Sequence, residues 1–264
     1  MGEAAPSPCA GLTVCDDFEG ETLGQPPKTS LWAITAPMCN PQRGTATVDS
    51  THAHSGTQAV KVVNDFGDAG GPPNYCDHVF FTNVSAFATA TPQQVYARFY
   101  VYFGEPLSMG HVTFATMTDK NAMPGNGDQL RLGLNSEVFV WNRESDDAYL
   151  PELDMGGIDV QTSVTPMAQS WTCVEVHLDE IAGGIQAWVN GNSVDAGLIV
   201  GLSEDGAVVP NVSTVWVGTT DAGFHPFITD FGLGWETYNK DPADAMDLWF
   251  DDVAIASHPI GCLP

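Results

Sequence analysis

Two short stretches carry side chains in patterns suited to acid, base or ion chemistry. In "DQLRLGLN" an extended chain would put Gln129, Arg131, Gly133 and Asn135 on one face and Leu130, Leu132 and Leu134 on the other. A guanidinium between two amides suits a carboxylate or a row of hydroxyls; the alternative is an ordinary solvated sheet face. In "DLWFDDVAIAS" two adjacent carboxylates interrupt an apolar pattern. Alternation sets Asp251 inward with Val253 and Ile255, and Asp252 outward with Ala254. A bare buried carboxylate is costly, so Asp251 calls for a cation or strong donors, and no Lys or Arg lies near it in sequence. Calcium would meet that need, because it takes roughly six to eight oxygen ligands. Glu19 of "DDFEG", the Ser55 carbonyl and the Gln58 amide of "HSGTQ" are the candidate partners.

The elements that must hold these side chains read as strands. Short alternating or apolar runs ("QAVKVV", "VYARFYVYF", "HVTFATM", "QLRLGL", "EVFVWN", "WTCVEVHL", "IQAWVNG", "TVWVGT", "WFDDVAIA") recur between Gly, Pro, Asn and Asp clusters, with no heptads, repeats or long helical pattern. So many strands in 264 residues, with no low-complexity linker, predict one β-sandwich or jelly roll. We expect residues 1–15 to be an N-terminal extension and 16–264 a single domain, with 118–128 and 142–170 as functional loops. In "VYARFYVYF", Ala97, Phe99, Val101 and Phe103 make one face; Tyr96, Arg98, Tyr100 and Tyr102 make another that could receive sugars.

The charge balance, 8 Lys+Arg against 33 Asp+Glu for a net charge of -25, argues against nucleic acid or an anionic membrane as partner. No apolar run approaches the roughly 18 residues of a membrane span. The six cysteines form no zinc or redox motif and are expected in disulfides, with fifteen pairings open. With sequons at Asn83 and Asn211, this composition points to a secreted protein. "MGEAAPSPC" has neither a basic n-region nor an apolar h-region and reads as a mature start behind an added Met, its signal peptide removed. A monomer is expected.

The strings "CDDFEG", "ITAPMCN", "AHSGTQAVKVV", "NYCDHVFF", "GHVTF", "NRESDDAYLPEL", "FGLGWETY" and "LWFDDVAIASHPIGC", in order from Asp16 to Cys262, resemble the secreted cellulose-induced proteins of cellulolytic fungi and their bacterial relatives. The resemblance implies a single β-jelly roll, a concanavalin A-like sandwich of two antiparallel sheets with a concave groove, similar to glucuronan and alginate lyases. It implies a structural calcium ion held by Glu19, the turn after "AHS" and Asp251, with Gln58 replacing the fungal member's Asn. It also implies the disulfides Cys39–Cys76 and Cys173–Cys262, which leaves Cys9 and Cys15, outside the family's core, to pair across a short N-terminal loop. The family's site residues fall on His111, Gln129, Arg131, Asn135 and Asp147, where Gln129 replaces a His and Asn135 a Gln of the fungal member. No role falls on Glu175 or His177.

That family points to lyase action on uronic-acid-containing, glucuronan-like polysaccharides. β-Elimination needs the C6 carboxylate neutralised, the C5 proton removed and the leaving glycosidic oxygen protonated. Arg131, with Gln129 and Asn135, could do the first. His111, of ordinary pKa about 6.5, could be the base unless it is a structural histidine. Tyr238, or a tyrosine of the 96–102 row, could be the acid, and Asp147 could orient Arg131 or His111. A non-catalytic carbohydrate-binding protein is the alternative, with Trp141, Trp235, Tyr100 and Tyr102 stacking on sugars. A polyuronate would need Arg131, Arg98 and Arg143 to make a local positive cleft against the net charge. Retaining glycoside hydrolysis is disfavoured: Glu144 and Asp146 begin a Glu-x-Asp-x-x-Glu pattern, but Tyr149 stands at its third carboxylate.

Overall fold

The computed structural model describes residues 9–36, 44–63, 78–87, 94–105, 107, 110–120, 129–144, 148–151, 153–154, 157–158, 163–194, 198–201, 224–237 and 246–263. In chain order the strands are β1 (Val14–Asp16), β2 (Ala33–Thr35), β3 (Thr45–Asp49), β4 (Ala59–Val63), β5 (Val79–Asn83), β6 (Gln94–Phe103), β7 (Val112–Thr118), β8 (Gln129–Asn135), β9 (Val138–Arg143), β10 (Ala148–Leu150), β11 (Leu153–Asp154), β12 (Gly157–Ile158), β13 (Trp171–Asp179), β14 (Gly184–Val189), β15 (Asn192–Ser193), β16 (Val200–Gly201), β17 (Phe231–Thr237) and β18 (Leu248–Ala256). A nine-stranded sheet runs β15-β14-β13-β6-β18-β4-β3, with β1 on β18 and β16 on β14; a seven-stranded sheet runs β10-β9-β8-β7-β17-β5-β2. Their pairings are antiparallel, which makes the fold the expected all-β sandwich. No described helix is long and apolar enough to cross a membrane. Within the expected loop 142–170, β10 folds back on β9 and β11 pairs with β12. The "TVWVGT" segment lies outside the described residues.

The period-two pattern does what it predicts on the long strands. Phe99, Val101 and Phe103 of β6 and Leu130, Leu132 and Leu134 of β8 are fully buried or nearly so and belong to one core between the sheets. Aromatic rings carry contact from sheet to sheet: Phe99 meets Phe114 at 6.2 Å and Phe231 at 6.0 Å, and Phe81 meets Phe250 at 5.7 Å. These offset and edge-on arrangements suit ring quadrupoles and fill space that aliphatic residues would leave open.

Four expectations need correction or narrowing. The parity of β18 changes within it: its register against β6 shifts between Asp251 and Ala254, and Asp252 takes φ 48°. This β-bulge turns Asp251 to the outer face beside Tyr100, while Phe250 and Val253 stay in the core. Trp141 and Trp235 are fully buried core residues, so neither can stack on a sugar. Asn83 is also buried and spends its amide nitrogen on the Leu31 carbonyl at 2.8 Å, so its sequon cannot carry a glycan in the folded chain. Finally, Val14 and Cys15 pair with Ile255 and Ala254, so the sheet takes in the end of the expected extension.

Cys9–Cys15 and Cys173–Cys262 are disulfides. Cys39, Cys76 and Asn211 lie outside the described residues.

Candidate functional site

The outer face of the seven-stranded sheet gathers the polar side chains of "DQLRLGLN". Arg131 pairs in register with Thr116 of β7 and Asn142 of β9, and Gly133 with Thr113 and Val140. Asn142 in turn pairs with Tyr149 of β10, whose ring packs against Val138 and Val140. His111 stands just ahead of β7, at the Asn135 end. The diagonal from Tyr149 to His111 therefore crosses Gly133, and the Tyr149 hydroxyl lies 2.9 Å from His111 Nδ1. Only glycine fits at 133, because a Cβ there would collide with the Val112 carbonyl of the bulged neighbouring strand.

Arg131 is 5% exposed and committed to two carboxylates. Its Nη2 lies 2.7 Å from Glu144 Oε1 and 2.9 Å from Glu236 Oε1. Glu236 is buried, and its other oxygen faces His78 Nδ1 at 3.6 Å. His78 Nε2 contacts the Thr237 carbonyl oxygen at 3.1 Å, and the Thr237 hydroxyl donates to the His111 carbonyl at 3.0 Å. A polar chain thus runs from Arg131 to the backbone of the histidine. Burial, with help from Glu236, pushes the Glu144 carboxyl above its ordinary range against the opposing pull of Arg131. Glu144 is the more accessible of the two Arg131 partners, with 23% side-chain exposure against 1% for Glu236.

His111, Arg131, Gln129 and Asn135 thus share one sheet face. Gln129 and Asn135 are part-exposed at the two ends of β8. Asp147 and Tyr238 lie outside the described residues. Glu236 and His78 were missed as site residues, and Glu144 and Tyr149 entered only through the rejected hydrolase pattern. For Glu236 there was a signal in "GLGWET", because it shares parity with Gly232 and Gly234, away from buried Leu233 and Trp235.

The tyrosine row of β6 is elsewhere. Tyr100 and Arg98 lie on the outer face of the nine-stranded sheet beneath the C-terminal segment: the Tyr100 hydroxyl accepts from the Leu263 N–H at 2.6 Å, and Arg98 donates to the carbonyls of Asp252 and Gly261. Tyr102 stacks on His52 at 4.3 Å. Neither these tyrosines nor Arg98 belongs to the face of His111, so they correct both the cleft of three arginines and the tyrosine row as proton donor. The Arg143 guanidinium sits 6.0 Å from the Phe224 ring.

The expected cation ligands converge on the turn between β3 and β4. Glu19 accepts the N–H groups of Thr57 at 2.6 Å and Gln58 at 2.7 Å, which hold its carboxyl below the ordinary range. Asp251 accepts those of His54 at 2.8 Å and Ser55 at 3.1 Å. Asp252 takes the His54 ring at 2.6 Å and the Ser55 hydroxyl at 2.9 Å. A Cβ at Gly56, φ 59°, would collide with the Glu19 carboxylate, which fixes that residue type. Among the described residues no Lys or Arg pairs with Asp251, whose carboxyl burial and Asp252 push up to about 7. Gln58 Oε1 is buried with no hydrogen-bond partner among them. No group of three or more His, Cys, Asp or Glu able to hold a metal occurs among the described residues. A set of two carboxylates, one amide and one carbonyl nevertheless suits a hard, oxygen-seeking cation, and the unused amide oxygen of Gln58 fits it.

A family model described as the Cip1-like core domain of polysaccharide-lyase-like proteins matches residues 17–258. Among solved structures, "Cellulose induced protein, Cip1" is 35% identical, with TM-score 0.74, covering 95% of this chain and 100% of that one. An endo-β-1,4-glucuronan lyase from the fungus Trichoderma reesei shares the fold at 12% identity and TM-score 0.51, covering 93% of this chain and 95% of that one. The binding domain of botulinum neurotoxin serotype D/C shares it at 12% identity and TM-score 0.52, covering 98% of this chain and 50% of that one. A comparison with curated protein sequences found no match.

Proposed function

The chain belongs to the Cip1-like family of polysaccharide-lyase-like proteins, and from this we propose that it is an exported lyase cleaving uronic-acid-containing, glucuronan-like glycans by β-elimination. The observation that carries the reading is the Tyr149–His111 contact of 2.9 Å, on the sheet face that also bears Arg131. Arg131 holds the C6 carboxylate, which takes the place of Glu144, while the amides of Gln129 and Asn135 bind the remaining oxygens. His111 removes the C5 proton. Tyr149 gives its proton to the leaving glycosidic oxygen and is reprotonated from His111, so the pair returns to its starting state. Glu236 keeps Arg131 fixed throughout.

Glu19, the Ser55 carbonyl, Gln58 and Asp251 would hold a structural calcium ion. Bound there, it supplies charge that ties the segment after β1 and the β3–β4 turn to β18.

A second reading, non-catalytic glycan binding, is favoured by the balance at Arg131: one guanidinium meets two carboxylates, leaving no local excess of positive charge for a polyuronate. The test is incubation with glucuronan, alginate and other polyuronates in calcium, following the ultraviolet absorbance of the unsaturated uronate product. A rise lost in Arg131→Ala supports the lyase. No rise with any substrate, together with retardation in polysaccharide affinity gels, replaces it with the binding reading.

A further inference from the structure

The outer face of the nine-stranded sheet, on the opposite side of the core from His111, holds a cavity of about 570 Å³ among β6, β13, β14 and the C-terminal segment. Its floor is set by register. Tyr96 of β6 lies opposite His177 of β13, which lies opposite Gln186 of β14; in the next row Glu175 lies opposite Trp188. These side chains alternate with Val174, Val176, Leu178, Ile185 and Ala187 of the core, so the sheet dictates that they face outward. Tyr96 and His177 stack at 4.1 Å with an interplanar angle of 7°. Trp188 is only partly buried.

We propose that this cavity is a second carbohydrate site, taking the end of a neutral oligosaccharide. Its acceptors are already fixed. Glu175 receives the N–H groups of Ile260 at 2.7 Å and Gly261 at 2.9 Å. Asp179 receives those of Ile181 and Ala182 at 2.8 Å each, and the Gln94 amide at 3.0 Å. Gln186 is held by its bond to Ser193 at 3.0 Å. Carboxylates and an amide held in place next to aromatic rings match sugar hydroxyls and the apolar faces of pyranose rings, and little side-chain freedom remains to be lost on binding. The size falls in the range of small-molecule sites.

The charge selects the ligand. Among the described residues no Lys or Arg lines the cavity, and two carboxylates do, so a uronate or phosphate is repelled. An organic cation is the rival ligand, because two carboxylates and the Trp188 ring would attract it; carboxylates and an amide already fixed as hydroxyl acceptors beside that ring favour the neutral glycan. This site does not depend on turnover at His111, and it would add a second hold on a polysaccharide and so raise avidity.

The test is isothermal titration of the full chain with β-1,4-linked glucose, xylose and mannose hexasaccharides, and with oligoglucuronate and tetramethylammonium as controls. Binding of at least one neutral hexasaccharide is expected, with Trp188→Ala raising its Kd about tenfold or more. Gln186→Ala should weaken the same titration, and His111→Ala should leave it unchanged. Thermal melts identify any variant that fails to fold, and chemical shifts of the Trp188 indole in the unmodified protein then give an independent readout. The proposal is overturned if no neutral hexasaccharide binds, if binding survives both cavity variants and leaves the Trp188 signal unmoved, or if tetramethylammonium or oligoglucuronate is the preferred ligand.

Discussion

The Tyr149 hydroxyl reaches His111 Nδ1 at 2.9 Å, although β10 and the residue ahead of β7 are separated in the sheet by β9 and β8. The two side chains meet over Gly133, where a glycine forced by the close backbone of β7 leaves the sheet surface bare. One residue thus satisfies a packing demand and opens the place where Tyr149 and His111 meet.

Tyr149→Phe keeps the ring on Val138 and Val140 and removes only the hydroxyl. Turnover of a polyuronate should fall about a hundredfold or more, the usual scale for a lost general acid, while the melting temperature hardly moves. Steady-state rates from product absorbance, beside a thermal melt, check this. Undiminished turnover would remove Tyr149 from the chemistry.

Glu236 and Glu144 both hold Arg131, but their burial separates their effects. Glu236→Gln leaves a buried guanidinium short of a carboxylate and should cost about 3 kcal/mol of stability. Glu144→Gln, at the more accessible partner, should cost under about 1 kcal/mol. Urea unfolding of both variants decides the order. Equal losses would mean that Glu236 is not the anchor.

Period two was enough to find the core of β6 and β8, because side-chain alternation is a local property of the backbone. The same rule applied to Trp141 and Trp235 would have buried them, since they share parity with Phe139 and Leu233. The rule failed at Asp251 because the bulge advances the chain by one residue; the available hint was aspartate itself, which tolerates the positive φ seen at Asp252. The meetings of Arg131 with Glu144 and Glu236, and of Tyr149 with His111, were illegible for a different reason. They depend on the register between strands and on a hairpin inside a stretch read as loop, and neither is written in any one segment. Glu19 and Asp251 both reach the β3–β4 turn, and the resemblance had already grouped them there, so no register between strands was needed to expect it.

If Glu19, Ser55, Gln58 and Asp251 bind calcium, chelation should lower the melting temperature. At a calcium concentration about a hundredfold above Kd the ion adds about 2.7 kcal/mol, worth roughly 5–10 °C for a chain of this size. The comparison is a thermal melt in calcium against one in excess chelator, repeated for Asp251→Asn and Gln58→Ala. Identical curves for the unmodified protein would eliminate the site, and loss of the difference in both variants would assign it.

His177 supplies a pH test on the other sheet. Burial holds its imidazole below the ordinary value, with Asp179 opposing. Between that lowered pKa and the unfolded value near 6.5, the unfolded chain binds more protons than the folded one, so stability rises with pH across this window. Equivalently, His177's contribution is complete above the unfolded pKa and is lost as pH falls through the folded one. The carboxyls of Glu21 and Glu144, raised by burial, act with the opposite sign, so the slope must be taken as a difference between proteins. Urea unfolding of the unmodified chain and of His177→Gln at several pH values from about 4.5 to 7.5 should give a gap that narrows toward acid. A gap independent of pH would show that the imidazole is not held neutral, and that the stacked pair with Tyr96 tolerates a charged ring.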